Sequence, residues 1–213
     1  MKKKAYILTA LIALFLSGCV VFSFYPLYTE KDLFPNDILI GEWYENDPDL
    51  KSGKNEILWK FEHPYKLKSE KNTRIDSCKY VLTYTTIDNG DTVSSEFSVH
   101  IIKLQDVYFL DFYLEEGPKF DGLSSIHLVP THTFAKLSII NDTLTFNWFD
   151  SGWLENLIKE NKIRIRHEQS DGNILLTAKP KELQKFVSKY VNSEDAFRNG
   201  LSVGLVRKAP DTK

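Results

Sequence analysis

Tyr80-Val81-Leu82-Thr83-Tyr84-Thr85-Thr86-Ile87-Asp88-Asn89-Gly90-Asp91-Thr92-Val93 is the stretch on which the fold turns. Tyr80, Leu82 and Tyr84 recur at period two, so they share one face of an extended chain. Asp88-Asn89-Gly90-Asp91 is a short linker whose Asn-Gly favours positive backbone φ, and a second β-rich run over 92–104 returns from it. Together they predict an antiparallel hairpin. The same alternation, bounded by Asn, Asp, Gly and Pro, predicts strands over 38–45, 57–61, 74–87, 107–114, 126–140 with a bend at Pro130, 143–149, 163–167, 173–178 and 201–207. In 57–61, Ile57, Trp59 and Phe61 oppose Leu58 and Lys60; in 143–149, Leu144, Phe146 and Trp148 share a face. The chain is therefore mainly β, a single antiparallel barrel or strongly curved sheet of about 8–10 strands.

Two segments break this rhythm and predict two short helices. Trp153, Leu154, Leu157 and Ile158 follow Asp150-Ser151, either of which caps a helix start. Pro180 opens the second, where Leu183, Phe186, Val187, Tyr190 and Val191 form one apolar stripe. Burying that stripe is worth roughly 1.5–3 kcal/mol per side chain, enough to plug or brace one end of a barrel. Aromatic residues make up 13% of the chain. Tyr80, Tyr84, Phe97, Tyr108, Phe112, Phe146 and Trp148 either fill a barrel or line a ligand cavity. Ser98 and His100 fall opposite Val99 and Ile101, so an inward orientation of that face would make a polar pocket.

At the amino end, Lys2-Lys3-Lys4 precedes the apolar run 5–16, the charged and hydrophobic regions of a secretory signal. About twelve apolar residues are too few for a bilayer that needs ~20. Leu16-Ser17-Gly18-Cys19 resembles the lipobox of bacterial lipoproteins. The resemblance implies cleavage after Gly18 and a palmitate-type acylated N-terminus on Cys19. The chain then divides into a signal at 1–18, a lipidated lead-in at 19–37 and one barrel domain at 38–213. Val20 is not the aspartate that retains enterobacterial lipoproteins at the inner membrane, which places the protein at the outer membrane facing the periplasm. Loss of three lysines takes the formal charge from -2 to -5, so the membrane is reached by acyl chains and nucleic acid is not a partner. The remaining cysteine, Cys78, reads as a small buried apolar residue. The aromatic segment 20–28 lies against the domain or the membrane, with Leu33 and Phe34 as anchors on the barrel exterior.

Gly41-Glu42-Trp43 resembles the Gly-x-Trp signature of lipocalins, which implies a lipocalin-like barrel whose floor is closed by Trp43 under an arginine from the last strand, here Arg207. A wider likeness, through Pro26-Leu27-Tyr28-Thr29, Phe109-Leu110-Asp111, His127-Leu128-Val129-Pro130-Thr131-His132-Thr133-Phe134, Trp153-Leu154 and Leu176-Thr177-Ala178, is to a group of bacterial envelope lipoproteins of unassigned function.

His127 and His132 are the segment best suited to chemistry, since paired imidazoles bind a metal or relay a proton near neutral pH. Asp111, His100 and His167 are further candidate partners, but the spacing fits a hydrogen-bonded sheet corner better than a metal site. Asp47, Asp49 and Glu56 do not match a calcium loop, because Lys51 stands where an oxygen ligand belongs. No nucleophile elbow, phosphate loop or zinc-protease motif occurs, and no cofactor is implied. The expected function is a non-catalytic module binding an apolar or amphipathic small ligand. Its alternatives are an assembly subunit with an envelope protein partner, and a hydrolase or metal enzyme on His127 and His132.

Overall fold

The computed structural model describes residues 20–46, 55–64, 78–88, 90–116, 127–140, 142–170 and 173–208. The lipobox at Leu16–Cys19, Asp47 and Asp49 lie outside the described residues. Eleven strands are present among them: β1 (Phe22–Ser23), β2 (Gly41–Glu45), β3 (Asn55–Glu62), β4 (Lys79–Asp88), β5 (Asp91–Leu104), β6 (Val107–Glu116), β7 (His132–Ile140), β8 (Thr143–Trp148), β9 (His167–Ser170), β10 (Asn173–Leu176) and β11 (Ser202–Arg207). Two α-helices, α1 (Ser151–Lys159) and α2 (Pro180–Tyr190), separate β8 from β11.

Eight strands close an antiparallel barrel in the order β2-β3-β4-β5-β6-β7-β8-β11 and back to β2. Closure leaves the eight without an unpaired edge, and alternation sends every second side chain inward. The β4–β5 hairpin runs in unbroken register from Lys79↔His100 to Asp88↔Asp91, and its turn holds Gly90 at φ +94°, a conformation that costs glycine nothing. The other three strands form a flap on β7. Because β8 ends at Trp148, opposite Ala135, the start of β7 has a free side that β1 takes. On its far side β1 runs parallel to β10, and β10 pairs with β9.

The inward faces make one apolar cluster: Trp43, Trp59, Phe61, Tyr80, Leu82, Val99, Ile101, Leu110, Phe112, Leu137, Leu144, Phe146, Trp148 and Leu205. All seven aromatic residues singled out for the barrel lie in this cluster or pack against it. A second cluster lies outside the wall. Ile102, Leu104, Phe109 and Phe134 point outward from β5, β6 and β7 and meet Val21, Leu27, Phe149, Leu154, Ile174, Leu183, Phe186 and Val187. The segment 20–34 and both helices are thus held on this outer face. Cys78 is a buried free thiol.

Several elements differ from expectation, each for a packing reason. The α2 stripe does not plug an end of the barrel; it covers the outer wall, where Ile102, Phe109 and Phe134 offer apolar surface. The first strand begins at Gly41, not Ile38, because Asp37–Leu39 forms a 3-10 turn under the floor. The strand expected over 126–140 starts at His132, since Pro130 has no N–H for a ladder; Ile126 lies outside the described residues. Of the run 163–167, only His167 is in a strand; Ile163 and Ile165 pack on the outer core instead. Ser98 and His100 face outward with Ile102, so the polar pocket inside the barrel is not formed by them.

Candidate functional site

The barrel floor is built on Gly41, Trp43 and Arg207. Trp43 is buried and donates its indole N–H to the Leu39 carbonyl at 2.7 Å. Arg207 stands opposite Trp43 in the β2–β11 register, with its guanidinium 4.1 Å above the indole ring. Its Nη1 donates to the Ile40 carbonyl at 2.9 Å and its Nη2 to that of Ile38 at 3.3 Å. Gly41 has φ +126°, and a β-carbon there would meet Arg207 Nη1 at 2.7 Å. The backbone angle therefore calls for glycine, and a β-carbon would also displace the guanidinium from its place over Trp43. Beside this pair, the Tyr80 hydroxyl accepts from Asn36 N–H at 2.7 Å and donates to the Asn36 carbonyl, tying the lead-in to the floor.

Towards the other end the lining changes. Val99, Leu110, Leu144, Phe146 and Leu205 exclude water completely, and Trp59, Phe112, Leu137, Trp148 and Val203 are buried to within 5–8%. Ile57, Tyr84 and Phe97 are half-buried beside them. Trp59 is the hub, with the rings of Phe61, Tyr84, Phe112 and Phe146 centred 5.2–6.3 Å away. One carboxylate joins this aromatic lining. Glu45 follows Gly41 and Trp43 on the inward face of β2 and accepts the Trp59 indole N–H at 2.8 Å. Burial pushes the Tyr84 hydroxyl up to about 12, and the Glu45 charge adds to the shift. The upper barrel is thus lined by aromatic rings around one carboxylate. Sequence alternation signalled Tyr84; Glu45 was missed, although it continues the period of Gly41 and Trp43.

No known protein family, curated protein or solved structure matches this chain. The reading of the site accordingly rests on its own geometry.

The histidine candidates lie on the outer wall. Asp111, fully buried on β6, accepts from Leu27 N–H at 2.8 Å through Oδ2 and bonds His132 Nδ1 at 2.7 Å through Oδ1. Tyr113 stacks against the His132 ring at 4.7 Å, and His100, opposite Asp111 in the β5–β6 register, lies 4.4 Å from the Tyr28 ring. Asp111, His132 and His100 are therefore brought together. His127 is not part of these contacts; it is exposed in the turn ahead of β7, because the strand starts only at His132. His167 bonds the Ile165 carbonyl at 2.8 Å on the separate β9 strand. Among the described residues, no three His, Cys, Asp or Glu side chains are grouped to hold a metal, and no hydroxyl or thiol bonds the His132 ring. An Asp–His pair of this kind orients an imidazole. What the pair does hold is the chain: Asp111 fixes Leu27, and Gln184 of α2 donates to the Leu27 carbonyl at 2.9 Å and to Asp32 at 2.8 Å. The polar cluster clamps the lead-in segment to the barrel wall.

Proposed function

We propose that the protein is a lipid-anchored envelope lipoprotein whose barrel holds an apolar or amphipathic small ligand without catalysing its conversion. The observation that carries this reading is the aromatic lining of the barrel, closed at one end by the buried Trp43 beneath the Arg207 guanidinium and only half-buried at Ile57, Tyr84 and Phe97. Aromatic rings give a ligand apolar contact area, and Glu45 with Tyr84 supplies a few placed polar groups to orient it, the usual make-up of a small-molecule pocket. The anchor is supported by the sequence alone, through Leu16-Ser17-Gly18-Cys19 and the apolar run before it.

Native mass spectrometry of the protein extracted in mild detergent from its own envelope tests the proposal. Wild type is expected to carry an adduct of a few hundred daltons beyond the acyl groups, and Trp59→Leu with Tyr84→Phe to lose most of it. Wild-type protein without an adduct would overturn the binding role. The acyl mass on Cys19, read in the same spectra, tests the anchor separately.

A further inference from the structure

We infer that the domain sits directly on the bilayer through an apolar apron, Val20, Phe22, Phe24 and Leu175, that extends the barrel lining out to the lipid. The inference rests on acylation of Cys19, as proposed above. Its first support is the absence of slack between that residue and the folded body. Val20 already packs against the barrel cluster, Val21 is 3% exposed and Ser23 is fully buried. Adjacent Cα atoms are about 3.8 Å apart, so lipid on Cys19 brings the membrane to within a residue or two of β1.

The second support is which face β1 turns to that membrane. Residues paired across neighbouring strands project to the same side of a sheet. Phe22 pairs with Thr133 of β7 and with Leu175 of β10. Thr133 Oγ1 accepts the indole N–H of Trp148 at 3.4 Å, and Trp148 belongs to the barrel interior. Phe22 is therefore on the face of the flap that is continuous with the barrel lining; Val20 packs on that lining, and Phe24 follows just past the end of β1. Unlike the rest of that lining, these rings are open: Phe22 is 40% and Phe24 50% exposed. Leu128 and Val129, in the stretch leading into β7, add two more exposed apolar side chains near the Ser23↔His132 pairing. A cluster of exposed apolar residues beside an anchoring point suits the headgroup–acyl boundary of a membrane.

Single cysteines at Phe24→Cys and Val129→Cys, with Ile140→Cys at the far end of β7 as the reference, can be labelled with an environment-sensitive fluorophore. The full acylated chain is used; Cys78 is buried and Cys19 blocked, so the new thiol alone reacts. In phosphatidylcholine vesicles containing doxyl-labelled acyl chains, the probes at 24 and 129 are expected to be quenched at least threefold more than the probe at 140. Equal quenching at the three positions would overturn the inference. Intact mass on the same sample reports acylation. A chain without acyl groups would sink the anchor reading and the apron with it, whereas equal quenching on acylated protein sinks the apron alone.

Discussion

Arg207 shows how much one side chain can determine at the floor of a barrel. Its guanidinium caps the Trp43 ring and satisfies two carbonyls of the chain entering β2, so an aliphatic residue would lose both the cation–π contact and the hydrogen bonds. Arg207→Ala should lower unfolding stability by about 1–2 kcal/mol in urea titrations, and Arg207→Lys should recover little of it because lysine lacks the planar fork. Asp111 works on the outer wall by a different logic. It is fully buried and serves two donors, so its removal leaves the Leu27 N–H without an acceptor. Asp111→Ala should cost about 1–3 kcal/mol in urea titrations and speed amide exchange at Leu27.

The helices and the lead-in segment show how elements are held to a closed barrel. Asp150 caps α1 through Oδ1, which accepts from Gly152 N–H at 2.8 Å and Trp153 N–H at 3.2 Å. Its other oxygen accepts from Asn199, which ties the cap to the turn ahead of β11. Asp150→Ala should cost about 1–2 kcal/mol by thermal unfolding, and Asp150→Asn much less. The segment 20–34 is not a tether in structural terms. It contributes β1, fills the outer core with Val21 and Leu27, and bridges by Leu33 to Ile102 of β5.

Two hydrogen-bonded carboxyls and one buried phenol shape the molecule's response to pH. Partial burial pushes the Asp32 carboxyl up, but hydrogen bonds from Thr29 and Gln184 outweigh it and hold the group below its ordinary value. The Lys79 ammonium bonded to Glu115 at 2.9 Å holds that carboxyl low as well. Both groups favour folding when ionised. Their stabilisation is present above their unfolded values of 3.8 and 4.5 and is lost as pH falls below them. The urea midpoint should therefore drop below about pH 4, less steeply in Asp32→Asn. Tyr84 acts at the opposite limit. Its folded pKa of about 12 lies above the unfolded 10.0, so stability should decline between those values as the unfolded chain ionises first. Tyr84→Phe should decline less over that interval.

The eight barrel strands, the hairpin turn, both helix starts and the Gly41–Trp43 floor were legible in the sequence because each depends on local spacing: period two, period 3.6, an Asn-Gly turn, a capping aspartate; β1 and most of β9 were not. Alternation also placed Tyr84 and Trp59 inside. Tertiary structure alone decided which way the β5–β7 wall faces its second partner. The consecutive apolar pairs Ile101-Ile102 and Phe109-Leu110 signal burial on both sides, but not what covers the outside. That cover is α2 and the lead-in segment, joined to the wall through Asp111, Leu27 and Gln184 across long separations in the chain. Such contacts follow from how a closed barrel disposes its outward apolar residues, and no local pattern encodes them.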